Sequence, residues 1–190
     1  MIKKEVRISF YNSAVPGDWS TPTFGTLFSF LATFPFSRDQ LTSEKTNDEI
    51  RNIHYGDIHS RFRAIFDVGK ETVPFVNVDQ LPTDLSDHRF CAEGDLVFAD
   101  ASEDLADVGK SIEIVALRGE RVLSGTHTIL ARRRSDELTT GFPGHLFRSE
   151  RIRKQIRSEA QGSKVYGISA GRLSNVRVCF PNDGAEQRKI

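Results

Sequence analysis

Three groups of residues carry side chains able to do chemistry. The first is Gly109-Lys110-Ser111, which has the ending of a phosphate-binding loop. Such a loop needs a glycine five positions before Gly109 and a helix after the serine, because backbone amides at a helix N-terminus cradle the phosphate. Here that position is Asp104, whose carboxylate repels phosphate, and the β-branched Ile112-Glu113-Ile114-Val115 follows. A nucleotide loop is excluded, and Gly69-Lys70, followed by Glu71-Thr72, fails in the same way. The second group is His54, Asp57 and His59. Two imidazoles and a carboxylate suggest metal-assisted hydrolysis, but no third strong ligand stands at a standard spacing and neither Cys91 nor Cys179 is near. A tight polar turn with hydrogen-bonded histidines is the plainer reading. The third group is the polar stretch from Ser37 to Asp48, with Arg38, Gln40 and Lys45. It mixes the side chains that read base edges and phosphates, and equally suits an ordinary surface loop.

These groups must be positioned by the elements around them. Leu96-Val97-Phe98-Ala99, bounded by Gly94-Asp95 and Asp100, reads as a fully buried strand. Ser102 then caps a short helical piece over Ala101–Leu105, with Glu103 and Asp104 in its first turn. Ile112–Leu117 is expected to pair with Val122-Leu123 as a hairpin around Arg118-Gly119-Glu120. Gly125–Ala131 reads as a strand running into Arg132-Arg133-Arg134. Upstream, Ile50, Ile53 and Ile58 suggest a strand bent at Gly56, and Val73–Val78 a strand with Pro74 at its start or on an edge. The Phe-rich stretch from Thr23 to Phe36 fits a helix or a strand. His145–Ala160 is the clearest helix, with Leu146, Ile152 and Ile156 on an apolar stripe and Arg148, Arg151, Arg153, Lys154 and Arg157 on a basic face. Val165–Ile168 and Val176–Phe180 read as short strands. Many short strands without βαβ spacing point to an α+β fold with a mostly antiparallel sheet.

The chain has 190 residues, 38% hydrophobic and 27% charged, with fourteen Phe, enough for one domain or two closely packed subdomains. No apolar run reaches the ~20 residues that cross a bilayer, and Met1-Ile2-Lys3-Lys4-Glu5-Val6 lacks the apolar core of a signal peptide. Two distant cysteines in apolar settings suit a reduced, cytoplasmic protein with buried thiols. Net charge is zero, yet charge is polarised along the chain. Asp79–Val108 holds nine acids and one arginine, whereas Arg118–Arg157 holds ten Lys/Arg and four acids. Either the two stretches neutralise each other across the fold, or the second forms a local anion-binding surface.

The order of several pieces resembles one target-recognition domain of the specificity subunit of type I restriction-modification systems. The pieces are Asn52-Ile53-His54-Tyr55-Gly56-Asp57-Ile58-His59, then Gly94-Asp95-Leu96-Val97-Phe98-Ala99-Asp100-Ala101-Ser102-Glu103-Asp104 and Val108-Gly109-Lys110. Gly125-Thr126-His127-Thr128, the Arg-rich helix, Gly162-Ser163 and Ile168-Ser169 follow, and last Pro181 with Glu186-Gln187-Arg188-Lys189-Ile190. The resemblance covers about residues 23–190, with residues 1–20 as a lead-in and 185–190 as the start of the helix that joins two recognition domains in such subunits. The whole chain then corresponds to one recognition domain, a fragment or a half-subunit that homodimerises.

The resemblance implies a β-rich subdomain plus an α+β subdomain gripping half of a bipartite site on double-stranded DNA. It implies no catalysis and no cofactor or metal in this chain. Methylation is done by a methyltransferase (modification) subunit that binds it, and cleavage by a restriction/motor subunit that acts with it indirectly. The residues agree: there is no glycine-rich cofactor loop after a strand, no Asn-Pro-Pro-Tyr-like or Asp-Pro-Pro-Tyr-like motif, and no catalytic triad. On this reading Arg38, Gln40 and Lys45, then His59, Arg61 and Arg63, read bases in the major groove. Lys110 and the amides of Gly109 and Ser111 hold phosphate. The competing class is a protein-interaction scaffold whose basic helix docks an acidic partner without DNA.

Overall fold

A computed structural model describes residues 5–6, 15–46, 49–77, 79, 81 and 85–189. Most of the lead-in (1–4 and 7–14), Asn47 and Asp48 of the polar stretch, Val78, Gln80 and residues 82–84 of the acidic stretch and the terminal Ile190 lie outside the described residues.

Two sheets organise the chain. Their strands are β1 (Phe28–Leu31), β2 (Leu41–Thr42), β3 (Ile50–Ile53), β4 (Ile65–Asp67), β5 (Phe75–Val76), β6 (Leu96–Ala99), β7 (Ser111–Ala116), β8 (Arg121–Ser124) and β9 (Thr128–Arg133). The five-stranded sheet has the order β1-β9-β6-β7-β4, and the four-stranded sheet the order β8-β3-β5-β2. Only β7/β4 and β8/β3 are parallel; the other pairs are antiparallel. The fold is α+β with mostly antiparallel sheets, as the residue pattern predicts.

β6 is the buried strand at the centre. Leu96 and Phe98 enter one core, Val97 and Ala99 the other, and all four are fully buried. Alternation sends successive side chains to opposite faces, so a strand covered on both faces reads as a continuous apolar run. The first core is aromatic: Phe24 lies 4.6 Å from Phe28, 4.8 Å from Phe147 and 5.5 Å from Phe98, ring centre to ring centre. The second core joins the other face to Ile53, Ile58, Phe62 and Val122, from the side of the smaller sheet. Each such buried side chain contributes about 1.5–3 kcal/mol of transfer free energy.

Several elements differ from expectation. The Phe-rich stretch is both things in succession: helix α1 (Phe24–Leu27) runs directly into β1. The strand expected to bend at Gly56 stops at Ile53, and α2 (Tyr55–Ser60) follows, with the His54 side chain accepting from the Gly56 amide at 3.2 Å. The expected hairpin around Gly119 does not form, because its two strands belong to different sheets. Arg118 turns back to Asp67 on β4 with two bonds of 2.7 and 2.8 Å, and Glu120 meets Arg51 of β3, so each arm is held to a different partner. The expected helix over Ala101–Leu105 is replaced by Ala101-Ser102 pairing with Tyr166-Gly167. Ser102 still caps, but caps a turn: its hydroxyl accepts from the Asp104 amide, and the Asp104 carboxylate accepts from the Ala106 amide. Of the strand expected over Val73–Val78, Phe75 and Val76 form β5. The strand expected over Val176–Phe180 shrinks to a bridge at Arg177 and the pair Phe180-Pro181 against Trp19-Ser20.

The expected helix His145–Ala160 is two helices, α3 (Phe142–Leu146) and α4 (Glu150–Glu159), with Ser149 extended between them. The break follows from Glu113 on β7. Its carboxylate is buried and accepts from the amides of Gly141 and Gly144 at 2.8 and 2.7 Å, which fixes α3 on the sheet. Gly144 is required there, since a Cβ would meet the Ala64 carbonyl at 2.6 Å. Two short helices complete the chain, α5 (Ala170–Leu173) and α6 (Gly184–Gln187).

Burial pushes the Glu113 carboxyl above its ordinary range, against the pull of the two amides and Arg133. A raised folded value means that its stabilising contribution is full below the unfolded carboxylate value, about 4.3, and is lost as pH rises through the folded value. The stability difference between the native chain and Glu113→Gln, read from urea midpoints, will favour the native chain most at acid pH and shift towards the variant as pH rises. Glu113→Ala, which strands two amides, will cost about 2–4 kcal/mol.

Candidate nucleic-acid interface

The best-organised polar cluster at the surface is built on Asp57. His54 ends β3 and caps α2, which places Asp57 in the first turn of that helix. Asp57 is only 2% exposed. Its two oxygens receive Arg38 Nη1 and Nη2 at 3.1 and 3.2 Å, and Arg61 Nη1 at 3.3 Å. Arg38 comes from a 3-10 turn, Arg38–Gln40, closed by a reciprocal cap in which the Gln40 side-chain oxygen accepts from the Ser37 amide and hydroxyl. Arg61 lies four residues after Asp57 and also donates to the Thr72 carbonyl. The carboxylate is internal, yet the Arg38 and Arg61 side chains stay 52% and 46% exposed. Paired charges hold two guanidinium planes at the surface, the geometry that suits bidentate acceptors.

An aromatic group adjoins this fork. Tyr55 contacts the rings of His54 (4.6 Å), His127 (5.3 Å) and His59 (6.0 Å). Burial, and then the nearby Arg38, lower the His54 pKa, with Asp57 opposing the shift. His127, in the left-handed region at φ 52°, lies 3.3 Å from Asp100. Burial raises the Asp100 pKa, with His127 opposing that shift. The metal alternative fails on charge: two arginines occupy the Asp57 carboxylate and would repel a cation. Among the described residues, no group of three or more His, Cys, Asp or Glu is placed to hold a metal.

The other residues singled out by sequence separate. Lys45 projects at the surface with Glu49 2.9 Å away. The His59 ring contacts the Ala101 carbonyl at 2.9 Å. Arg63 is exposed and lines a groove of about 740 Å³ with Arg61, Lys70, His145, Asp67 and Glu71, and within it Lys70 lies 3.6 Å from Asp67. Lys110 and Ser111 do not form a phosphate cradle. The Lys110 ammonium donates to the His59 carbonyl at 2.6 Å and lies 3.8 Å from Asp107. The Gly109 and Lys110 amides go to Ala99 and Asp107, and Ser111 is 0% exposed within the ladder to Phe98. Only glycine suits position 109, at φ 65° and against Ile156. This Gly-Lys loop is a structural staple.

The basic face of the helical segment is only partly a surface: Arg151 and Lys154 are exposed and Arg157 pairs with Glu150, but Arg148 and Arg153 turn inward. Arg153 is 7% exposed and donates to the carbonyls of Ala106 and Val108 at 2.7 and 2.6 Å, and Arg148 reaches the Ser111 and Phe62 carbonyls. Burial, and then the like charge of Arg157, lower the Arg153 pKa to about 10. Arg132 holds the buried Asp95 at 2.8 and 3.1 Å, and Arg121 lies 3.8 Å from Asp87. The acidic and basic stretches therefore meet partly as ion pairs and partly as guanidinium-to-carbonyl contacts inside the fold.

Sequence reasoning missed Asp57 as the organiser, together with Lys70 and His145 in the groove. The i,i+4 spacing of Asp57 and Arg61 carried the signal, hidden while Tyr55–Ser60 was read as extended.

The fold defines the class. No family model matches the chain, and no curated protein matches it significantly in sequence. Solved structures do match in architecture. The S subunit of a type I restriction-modification system from M. genitalium aligns with a TM-score of 0.54 at 14% identity, over 90% of this chain and 36% of that one. The HsdS subunit from Thermoanaerobacter tengcongensis aligns with a TM-score of 0.56 at 14% identity, over 94% of this chain and 37% of that one. A chain from a type I R-M system characterised for its complex assembly and conformational transition gives the same values, 0.56, 14%, 94% and 37%. The chain has the fold of a type I restriction-modification S subunit, and spans little more than a third of the length of these relatives. Among the described residues no helix is long and apolar enough to cross a membrane.

Lys110→Ala, by removing an internal donor, will lower stability by about 1 kcal/mol. It will leave the salt dependence of any duplex binding unchanged, as measured by thermal melting and a salt titration of the same preparation.

Proposed function

We propose that this chain is a DNA target-recognition domain of the type I specificity-subunit kind, reading one half of a bipartite site. It is a reader and not an enzyme, and it requires no cofactor. Its partners are double-stranded DNA and a methyltransferase subunit, with the restriction/motor subunit recruited indirectly, in the cytoplasm. Paired with a second recognition domain or a second copy of itself, it specifies both halves of a site.

The observation that carries this reading is the exposed Arg38–Arg61 fork on a fold shared with S subunits. Arginine forks pair with guanine O6 and N7 or with phosphate oxygens. The fork continues through Arg61 into the groove lined by Arg63 and Lys70, where exposed basic side chains stand among the carboxylates of Asp67 and Glu71 and can meet phosphate oxygens. Gln40 stands in the same turn as Arg38, its side chain held by Ser37, and Lys45 lies beyond it. His59 supports this edge through the Ala101 carbonyl.

The test is selection from a random duplex pool, with and without the methyltransferase subunit, followed by salt titration on the enriched sequence. Arg63→Ala and Lys70→Ala will each weaken all sequences alike and flatten the log-log salt slope by about one unit. Duplex binding with no salt dependence, or none at all in either preparation, would refute the reading. Retention of the methyltransferase subunit by a chain that ignores duplex competitor would point instead to a protein-interaction scaffold.

A further inference from the structure

We infer that Asp57 is the positioning residue for base recognition, setting the chain's DNA specificity without touching DNA. The inference rests on the DNA-reading proposal and adds to it a buried residue outside the contact surface.

The argument starts from what Asp57 lacks, which is solvent. A carboxylate 2% exposed must be compensated by internal partners, and here three N–H groups from two arginines do so. Its position is over-determined: α2 fixes its backbone, and the His54 cap fixes the start of α2. The arginines are the reverse: both are held by Asp57, Arg61 also by the Thr72 carbonyl, yet their side chains stay about half exposed. A free arginine loses much rotamer freedom when it binds a base edge, whereas one already held by a carboxylate loses less. Arg38 is also restrained from its own side, since the Ser37–Gln40 cap closes the turn that carries it. His54 Nδ1 lies 3.4 Å from Arg38 Nη2, a third restraint on the same guanidinium.

Charge points the same way. Without Asp57 the two guanidiniums would repel each other and splay apart. With it they form a fixed pair of net single positive charge, better suited to discriminating between acceptors than to indiscriminate attraction. Lys45 is the contrast, an exposed ammonium whose partner Glu49 is itself exposed. It has the features of a phosphate contact and none of a fixed reader.

The experiment compares the full chain with Asp57→Asn and Arg38→Lys in duplex selection and in binding to the selected site and a scrambled duplex. Melting curves are recorded on each preparation. Asp57→Asn is expected to cut discrimination about 5- to 100-fold at one or two adjacent base pairs, while affinity for scrambled duplex holds or rises. Arg38→Lys, a surface change that keeps the charge and loses the fork, is expected to lose preference at the same base pairs with an unchanged salt slope. It decides the matter if Asp57→Asn proves unfolded on melting. If Arg38→Lys and any folded Asp57→Asn chain keep the selected sequence, the clamp's role is overturned while the DNA reading stands. Uniform weakening on every duplex by Arg38→Lys would assign the fork to phosphate and overturn the inference. A native chain that selects no sequence removes the DNA reading and this inference together.

Discussion

A carboxylate buried beside the centre of the five-stranded sheet holds the helical half of the molecule to the stranded half. Glu113 stands on β7, and both of its oxygens are taken by the amides of Gly141 and Gly144 at the start of α3. Removing either amide while the carboxyl stays buried would leave an oxygen without its donor, so the start of α3 is held in place on β7. Phe147 then enters the aromatic core with Phe24, Phe28 and Phe98, and α4 begins afresh at Ser149. Arg148 and Arg153 add to this pin by reaching back to carbonyls on β7 and on the loop before it. The smaller sheet meets the opposite face of the same strands, so everything on either side is placed relative to β6 and β7.

The same device recurs at the candidate interface. Asp57 and Glu113 are both buried carboxylates saturated by N–H donors. Glu113 meets backbone amides, and the result is rigid packing. Asp57 meets two side chains that stay about half exposed, and the result is a surface with fixed donors. The difference in partner separates a structural carboxylate from one suited to recognition. Asp95 with Arg132 belongs to the first kind, since that guanidinium also holds the His88 and Phe90 carbonyls.

Several of the arginines in the stretch from Arg118 to Arg157 are tied to acceptors of the chain itself. Arg118, Arg132, Arg133, Arg148 and Arg153 all reach acceptors within the chain. A polarised charge distribution along the sequence is here partly a record of which loops must be tied to which strands. The exposed guanidiniums of the candidate site come instead from Arg38, Arg61 and Arg63, in a stretch of balanced charge.

The sequence by itself determined the α+β class, the doubly buried strand Leu96–Ala99, the turns at Gly94, Gly109 and Gly119, and the exclusion of a nucleotide loop. These are readable because they rest on local alternation, on positive φ at glycine, or on spacing within a few residues. It also named Arg38 and Arg61 as separate candidates. Tertiary structure decided that one carboxylate joins them, that Lys110 and Ser111 turn inward, and that the strands flanking Gly119 belong to different sheets. The physical reason is common to all three. Whether a charged side chain faces water or staples the interior, and which strand a strand pairs with, depends on partners 19 to 71 residues away in the sequence. No local pattern encodes those distances. Only the closing of β6 and β7 between two cores brings them together.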